Sequence, residues 1–385
     1  MRKLNSILVL QDKLSRKIKC KFFALVYLYF FDKIKTLFGN KHILNYSVKT
    51  SFPHSPFSRG QVSRGQVFVS FSSCPSCSSW LNSFWLRLCS ARKHNINIPF
   101  AVIGGSQAYD LLQKGSIQGK RIGEIKTPFG HSQPVYHIHD SQGEMLFLSR
   151  HGEKGYSLTA PFVNYRANIY ALKELGVKQI VSWSGPGAIN KSYQIGEYVI
   201  VDDIVDETHG RESTFYKNSG IGFIRQSPVF CPTLRECINH SLKNLHINFS
   251  DKGTYVCTQG PRLETPAEIR KYKSYRCDLV GMTLVPEVFL AKELEMCYAA
   301  ICYVTNYAEG IVDRPFKAGE LFEGLSDDTD RKAVEKAVSK FPVVMKEIAK
   351  NIKLQKTICQ CSSLMERYKR RGDIGTDWHD WIKQP

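Results

Sequence analysis

Between Gly281 and Gly310 the sequence GMTLVPEVFLAKELEMCYAAICYVTNYAEG reads as a loop, a helix and a buried strand, an order that points to a parallel sheet. Val285 to Glu295 places Val288, Phe289, Lys292 and Leu294 among good helix formers, and Pro286 falls at a first-turn position, where a missing N–H costs nothing. Met282 and Thr283 then stand just before a helix, where exposed N–H groups and the positive end of the dipole attract anions. Cys297 to Thr305 is apolar, too short for a second helix and rich in strand formers, as a central strand covered on both faces must be. It stops abruptly at Asn306. Ligands of open α/β sheets collect at the carboxyl ends of strands, so Asn306 is a candidate contact.

The same alternation runs through the preceding chain. Pro99 to Gly105 is a strand entering a glycine turn that presents Ser106, and Met145 to Ser149 is a short strand delivering Arg150 and His151 into Gly152. Pro161 to Leu175 reads as an amphipathic helix stopped by Gly176, followed by a strand from Lys178 to Trp183 that ends in SGPGAI. Tyr198 to Ile204 is a further strand, a helix opens at Pro232, and Thr254 to Gln259 is another strand. Thr265-Pro266-Ala267-Glu268 is a capping box with proline at the first helical position, which places Glu264 between a strand end and a helix start. The last long helix runs from about Asp328 to Ile352, interrupted at Pro342. Strands alternating with helices predict an α/β fold, a mostly parallel mixed sheet flanked by helices.

Several of these positions suit an anion, each with a plainer alternative. Arg150 beside His151 offers a planar donor fork and a second donor to a phosphate, or else an ordinary ion pair. The turn before Ser106 fits a nucleotide-binding loop or a simple tight turn. Glu264 suits a ligand donor, or only the helix dipole.

Charge is spread unevenly. Residues 1 to 97 hold 16 Lys plus Arg against 2 acidic residues and no Glu, which leaves 37 basic and 33 acidic residues in the rest of the chain. The body is therefore close to neutral, and any polyanion-binding reading rests on the N-terminal part alone. That part carries the tandem repeat SRGQVSRGQV (Ser58 to Val67) and Ser/Cys-rich sequence without a periodic apolar face. Phe22 to Phe31 is apolar but far short of the roughly 20 residues a membrane span needs. It also lacks the form of a signal peptide. The expectation is a disordered or non-native extension over 1–97, such as upstream sequence translated from a misplaced start. The rival is a basic tether to a membrane surface or nucleic acid. The domain expectation is completed by a body over 98–354 and a C-terminal tail over 355–385.

Twelve Cys, several inside apolar runs, show no secreted disulfide framework and fit a reducing, cytoplasmic compartment. The pairs Cys74 with Cys77 and Cys359 with Cys361 could ligate a metal, but no neighbouring His or Cys completes either, so no metal is expected.

IGGS (Ile103 to Ser106), SRHG (Ser149 to Gly152), TQGPRLET (Thr258 to Thr265) and GMTLVPE (Gly281 to Glu287) occur in the order found in the trimeric purine nucleoside phosphorylases. The chain most resembles the methylthioadenosine and methylthioinosine phosphorylase branch, from about Asn97 to about Leu354. The resemblance implies a nucleoside phosphorylase-like fold and phosphorolysis of a purine nucleoside, with inorganic phosphate as co-substrate and neither a metal nor an organic cofactor. It assigns phosphate binding to Ser106, Arg150, His151, Ser184 and Thr283. Where relatives carry a small polar residue this chain has Trp183, so the contacts inferred for Ser184 rest mainly on its backbone. It further assigns the substrate pocket to Met282, Glu264, Asn306 and Ala308, with Glu264 and Asn306 as the catalytic pair, and it implies a homotrimer in which Phe223 reaches into the neighbouring subunit's site. Purine nucleoside and phosphate are then the partners, with no nucleic acid and no membrane.

In the resembling enzymes that take adenine nucleosides, Asp stands at the position of Asn306 and a small residue at that of Glu264. An amide can donate to a purine O6 and a carboxylate can accept from N1–H, so the pair Glu264 and Asn306 predicts hypoxanthine or guanine nucleosides. On the 5′ side, residues 307 to 345 contain no His for a 5′-hydroxyl, while Leu321, Phe322 and Leu325 would suit a methylthio group or simply a helix core. Methylthioinosine is therefore expected besides or instead of inosine. An S-methyl-5′-thioadenosine phosphorylase and a water-using nucleosidase are the alternatives.

Overall fold

The computed structural model describes residues 97–140, 143–153, 155–313, 328–354 and 358–382, all within one compact unit. The basic extension, Cys74, Cys77, Leu321, Phe322 and Leu325 lie outside the described residues. The larger of two main sheets has eight strands: β1 (Phe100–Gly104), β2 (Gly119–Gly123), β5 (Val135–Asp140), β6 (Gly143–Ser149), β7 (Gln179–Ser184), β9 (Tyr198–Ile200), β11 (Phe249–Ser250) and β14 (Cys297–Tyr303). Their spatial order is β11-β9-β14-β7-β1-β6-β5-β2. Pairing is parallel at β1–β6, β1–β7, β14–β7 and β11–β9, and antiparallel at β14–β9, β5–β6 and β2–β5. A five-stranded sheet joins β8 (Gly187–Ala188), β10 (Asp203–Glu207), β12 (Thr254–Thr258), β13 (Leu279–Gly281) and β15 (Asn306–Tyr307) in the order β10-β12-β13-β8-β15. β3 (Lys126–Thr127) and β4 (Gly130–His131) form a separate ribbon.

The expected mixed, mostly parallel α/β architecture is what the chain adopts. Side-chain alternation explains the central strands. In β14, Tyr298, Ala300 and Cys302 enter one apolar core, while Cys297, Ala299, Ile301 and Tyr303 enter the core on the opposite face. Every residue of β14 is buried, because helices cover both faces. The helices are α1 (Ser106–Gln113), α2 (Tyr165–Glu174), α3 (Pro232–Asn244), α4 (Pro266–Ser274), α5 (Glu287–Glu293), α6 (Asp328–Ser339), α7 (Phe341–Leu354) and α8 (Glu366–Arg371).

Four expected elements are corrected. The single strand from Tyr198 to Ile204 is two strands in different sheets, β9 and β10, with the chain turning at Val201 and Asp202. Asp202 holds that corner by accepting the Gly253 N–H at 2.9 Å. The helix expected from Pro161 begins only at Tyr165, because Asn164 caps it by accepting from the Ala167 N–H. The expected interruption of the long terminal helix is present but falls at Lys340, between α6 and α7, with Pro342 in the first turn of α7, the position that tolerates a missing donor. Finally, α5 starts at Glu287 and not Val285, so Pro286 caps it from outside. The capping box at Thr265 forms as expected, with both reciprocal hydrogen bonds.

The tail packs on the body. Met365, Tyr368 and Trp381 are buried in the same core as β1 and β14, and Lys369 pairs with Glu295 at 2.7 Å.

Candidate active site

Three strands of the large sheet end together. Ile103 in β1, Ser149 and then Arg150 after β6, and Ser182 in β7 surround one buried guanidinium. Arg150 is 1% exposed. Its Nε donates to Glu287 Oε1 at 2.7 Å and its Nη2 to Glu287 Oε2 at 3.1 Å. Nη2 also donates to Ser182 Oγ at 2.7 Å and to the Ile103 carbonyl at 3.2 Å, and Nη1 donates to the Trp183 carbonyl at 3.2 Å. The fork expected to grip a phosphate is thus occupied by Glu287, which also accepts from Tyr298 Oη at 2.8 Å. A charge buried this deeply needs such a partner. Nη1 lies next to the Gly105 turn: a side chain at Gly105 would begin 4.0 Å from it and 3.9 Å from the His151 ring. The turn that carries Ser106 therefore lies over both residues. Ser106 opens α1, whose first turn holds no acidic residue and whose cap has no side-chain bond, so its N–H groups suit an anion.

His151 differs from the expected second donor. Burial and the Arg150 charge lower its pKa to about 4, so the ring is neutral at physiological pH. Its Nδ1 lies 2.8 Å from the Leu158 carbonyl. A neutral ring must donate there, which leaves Nε2 as an acceptor for a phosphate's own proton.

The strand register settles the Trp183 question. Alternate residues of β7 face opposite cores, so Trp183 packs against Tyr198, Tyr303 and Phe341 while Ser182 and Ser184 face Arg150 and Thr283. The Ser184 and Thr283 hydroxyls are 3.1 Å apart, so Ser184 brings its side chain as well as its backbone to this spot. Because α5 begins four residues after Thr283 and its first turn is filled by Glu287, Thr283 offers an anion its hydroxyl and no helix dipole. The Tyr255 hydroxyl is buried with no hydrogen-bond partner among the described residues. It abuts Gly281, where a Cβ would come within 2.0 Å of it.

The remaining candidates line the smaller sheet. Glu264 follows β12 and is half-buried; its Oε1 accepts from Thr258 Oγ1 at 2.5 Å. Asn306 Oδ1 accepts from Thr305 Oγ1 at 2.7 Å and its Nδ2 donates to the Tyr307 carbonyl at 2.9 Å, which fixes the orientation of the amide. These are not neighbouring strand ends: β13 and β8 lie between β12 and β15. The loops beyond them converge instead. Gly310, at φ 73°, would place a Cβ 3.0 Å from Pro266, two residues after Glu264. Met282 sits above β13 against Gly260, where a Cβ would meet its Sδ at 2.5 Å. Ala308 is buried, its N–H bonded to the Ala188 carbonyl at 2.8 Å.

Phe223 stands apart from these residues. It is 80% exposed, and its backbone N–H and C=O both bond the Tyr368 hydroxyl of α8 at 2.8 and 3.2 Å.

Sequence reasoning passed over Ser182, Glu287 and Arg211. Arg211 staples together the two loops that follow β12 and β13: Nη1 donates to the Met282 and Val285 carbonyls at 2.7 and 2.6 Å, and Nη2 to those of Thr258 and Gln259 at 3.0 and 2.7 Å. An arginine in a polar loop carries no local signal of this role. Glu287 was visible only as an acidic residue near a helix start. The expectation that nothing completes Cys359 and Cys361 is also corrected, since Cys231 and Cys297 lie beside them at the opposite end of β14.

Residues 99–348 match the Phosphorylase superfamily. A 6-oxopurine nucleoside phosphorylase of Pyrococcus furiosus is 39% identical over 254 residues, 64% of this chain and 93% of the relative. A probable S-methyl-5'-thioinosine phosphorylase of Thermodesulfovibrio yellowstonii is 36% identical over 258 residues, 66% of this chain and 95% of the relative. Among solved structures, a methylthioadenosine phosphorylase from an antarctic soil metagenomic library is similar at a TM-score of 0.61 and 30% identity, covering 70% of this chain and 91% of that one. With the fold and four ordered motifs in agreement, the chain belongs to the phosphorylase superfamily, in its branch of purine nucleoside and methylthioadenosine phosphorylases.

Proposed function

We propose that the protein cleaves the N-glycosidic bond of 6-oxopurine nucleosides with inorganic phosphate, releasing free base and a pentose 1-phosphate, in purine salvage. The accepted sugars include ribose and its 5′-methylthio form. One juxtaposition carries this proposal: a hydroxyl pair, a buried guanidinium and a neutral imidazole on one side, with a carboxylate and an amide beyond the ends of the adjoining sheet.

Phosphate binds to Ser106, Arg150 Nη1, Ser184 and Thr283, and donates a hydrogen bond from its own O–H to the neutral His151 Nε2. A phosphate oxygen forms the new bond to C1′ as the C1′–N9 pair leaves with the purine. Positive charge on the sugar meets the phosphate below it, and negative charge on the base is met by an Asn306 N–H at N7. Rate comes from stabilising these developing charges more than the bound substrate. Glu264 accepts from N1–H, so a 6-aminopurine, which has a bare N1, faces it lone pair to lone pair. No metal or organic cofactor takes part in these steps.

The protein acts as a homotrimer in the cytoplasm, with Phe223 completing a neighbour's pocket. In support of the assembly, the Phe223 side chain is 80% exposed and its backbone N–H is bonded to the Tyr368 hydroxyl. The test is turnover of inosine, guanosine, methylthioinosine, adenosine and methylthioadenosine with and without phosphate. Phosphate-dependent turnover of the oxo substrates is expected. Phosphate-independent turnover would make the protein a nucleosidase, and equal use of amino and oxo substrates would remove the role given to Glu264.

A further inference from the structure

Four cysteines that the proposed reaction does not use meet at the amino end of β14. Cys297 opens that strand, and Cys231 caps α3 with its own N–H bonded to the Tyr298 carbonyl at 2.8 Å. Cys359 and Cys361 arrive from the tail. All four sulfurs lie within 4.8 Å of one another, and Cys297 and Cys359 are 3.4 Å apart. A tetrahedral Zn2+ with bonds of about 2.3 Å sets its sulfurs about 3.8 Å apart, whereas a disulfide needs about 2.05 Å. All four are free thiols in the structure.

We propose that Cys231, Cys297, Cys359 and Cys361 form a structural zinc site that fastens the C-terminal tail to the phosphorylase body. Two ligands are held in advance, because Cys231 and Cys297 are buried in the core beside β14. The other two come from a single C-x-C turn, so the metal closes the tail onto a prepared half-site. The surroundings favour the anionic form of the sulfurs. Cys231 stands at the positive end of a 13-residue helix. Each thiol that binds gives its proton to solvent, so affinity rises with pH. Four protein ligands leave no open position for water, which makes the metal a fastener and not a catalyst.

Its effect reaches the surface around Phe223, which the proposed function places against a neighbouring chain. Met365, four residues beyond Cys361, is fully buried and its N–H bonds Glu295 at 2.9 Å, and Tyr368 of the same tail holds the Phe223 backbone.

The experiment is metal analysis of the full chain, expressed with added Zn2+ and purified with a non-thiol reductant and no chelator. About one zinc per chain is expected, released by a mercurial, lost in Cys359→Ser/Cys361→Ser, and accompanied in that variant by a lower Tm. Cobalt supplied in place of zinc should give intense thiolate-to-cobalt charge-transfer bands, a readout on the native sequence if the double variant does not fold. A chain free of zinc with four reduced thiols overturns the proposal. So does a mass showing the cysteines joined as disulfides, or zinc retained by the double variant.

Discussion

Arg150 is 1% exposed and held by five hydrogen-bonding contacts to two strands and a helix. Glu264, in contrast, is half-buried in a loop and steadied by one hydroxyl. The proposed anion side belongs to the large sheet and its core, so its polar groups also hold the fold together. The proposed base side belongs to loops beyond the small sheet, where a substitution disturbs less of the core. On that proposal, a change of substrate class costs the fold less than a change at the phosphate side.

The largest test of this contrast removes one group from each side. Arg150→Met leaves Glu287 charged and unpaired in the core and should cost about 3–5 kcal/mol in a urea titration, besides abolishing turnover. Glu264→Ala should shift stability by less than about 1 kcal/mol while lowering kcat/KM for inosine by roughly 100-fold or more. Equal destabilisation by the two variants would break the contrast.

Next comes specificity. Asn306→Asp should move the preference between oxo and amino purines toward adenine by about two orders of magnitude, read as a ratio of kcat/KM values with Tm nearly unchanged. An unaltered ratio would take Asn306 out of the base pocket.

The third test is acid stability. His151 titrates in the folded state at about 4, below the ordinary 6.5, so between those values the unfolded chain binds a proton that the folded chain refuses. The stability this group contributes is present above pH 6.5 and lost as pH falls toward 4. Removing the titration in His151→Gln should flatten that limb by on the order of 1–3 kcal/mol. An unchanged slope would mean that His151 is not buried as a neutral ring.

The smallest effect is expected at Thr283→Val, where one hydroxyl is lost beside Ser184. A rise of about tenfold in the KM for phosphate, with the nucleoside KM unchanged, matches one hydrogen bond. A rise in the nucleoside KM alone would move Thr283 to the other side of the comparison.

How much of this was readable beforehand depended on distance along the chain. The capping box at Thr265, the fully buried β14 and the strand that delivers Arg150 are local patterns, and each forms where the residues suggest. The division of Tyr198 to Ile204 between two sheets is marked in the sequence only by Asp202 and Asp203, which interrupt the apolar run at the corner but equally suit an exposed strand end. Glu287 was hidden, since its partner Arg150 lies 137 residues away. The cysteine cluster combines residues from α3, β14 and the tail, which no spacing rule joins. The orientation of Trp183 was legible in principle: β7 alternates, and two serines on one face leave the tryptophan only the other.

The two sheets are sewn together at three places by pairs of residues: Gly185 and Pro186 between β7 and β8, Val201 and Asp202 between β9 and β10, Val304 and Thr305 between β14 and β15. Val201 and Val304 are fully buried, and Thr305 bonds across to the Pro186 carbonyl. Such short stitches give the two sheets little slack in which to shift against each other. Admission of a nucleoside and departure of its base must then be managed by side chains and surface loops, with the bending stiffness of the scaffold setting how little the distance from phosphate to purine can vary during a turnover.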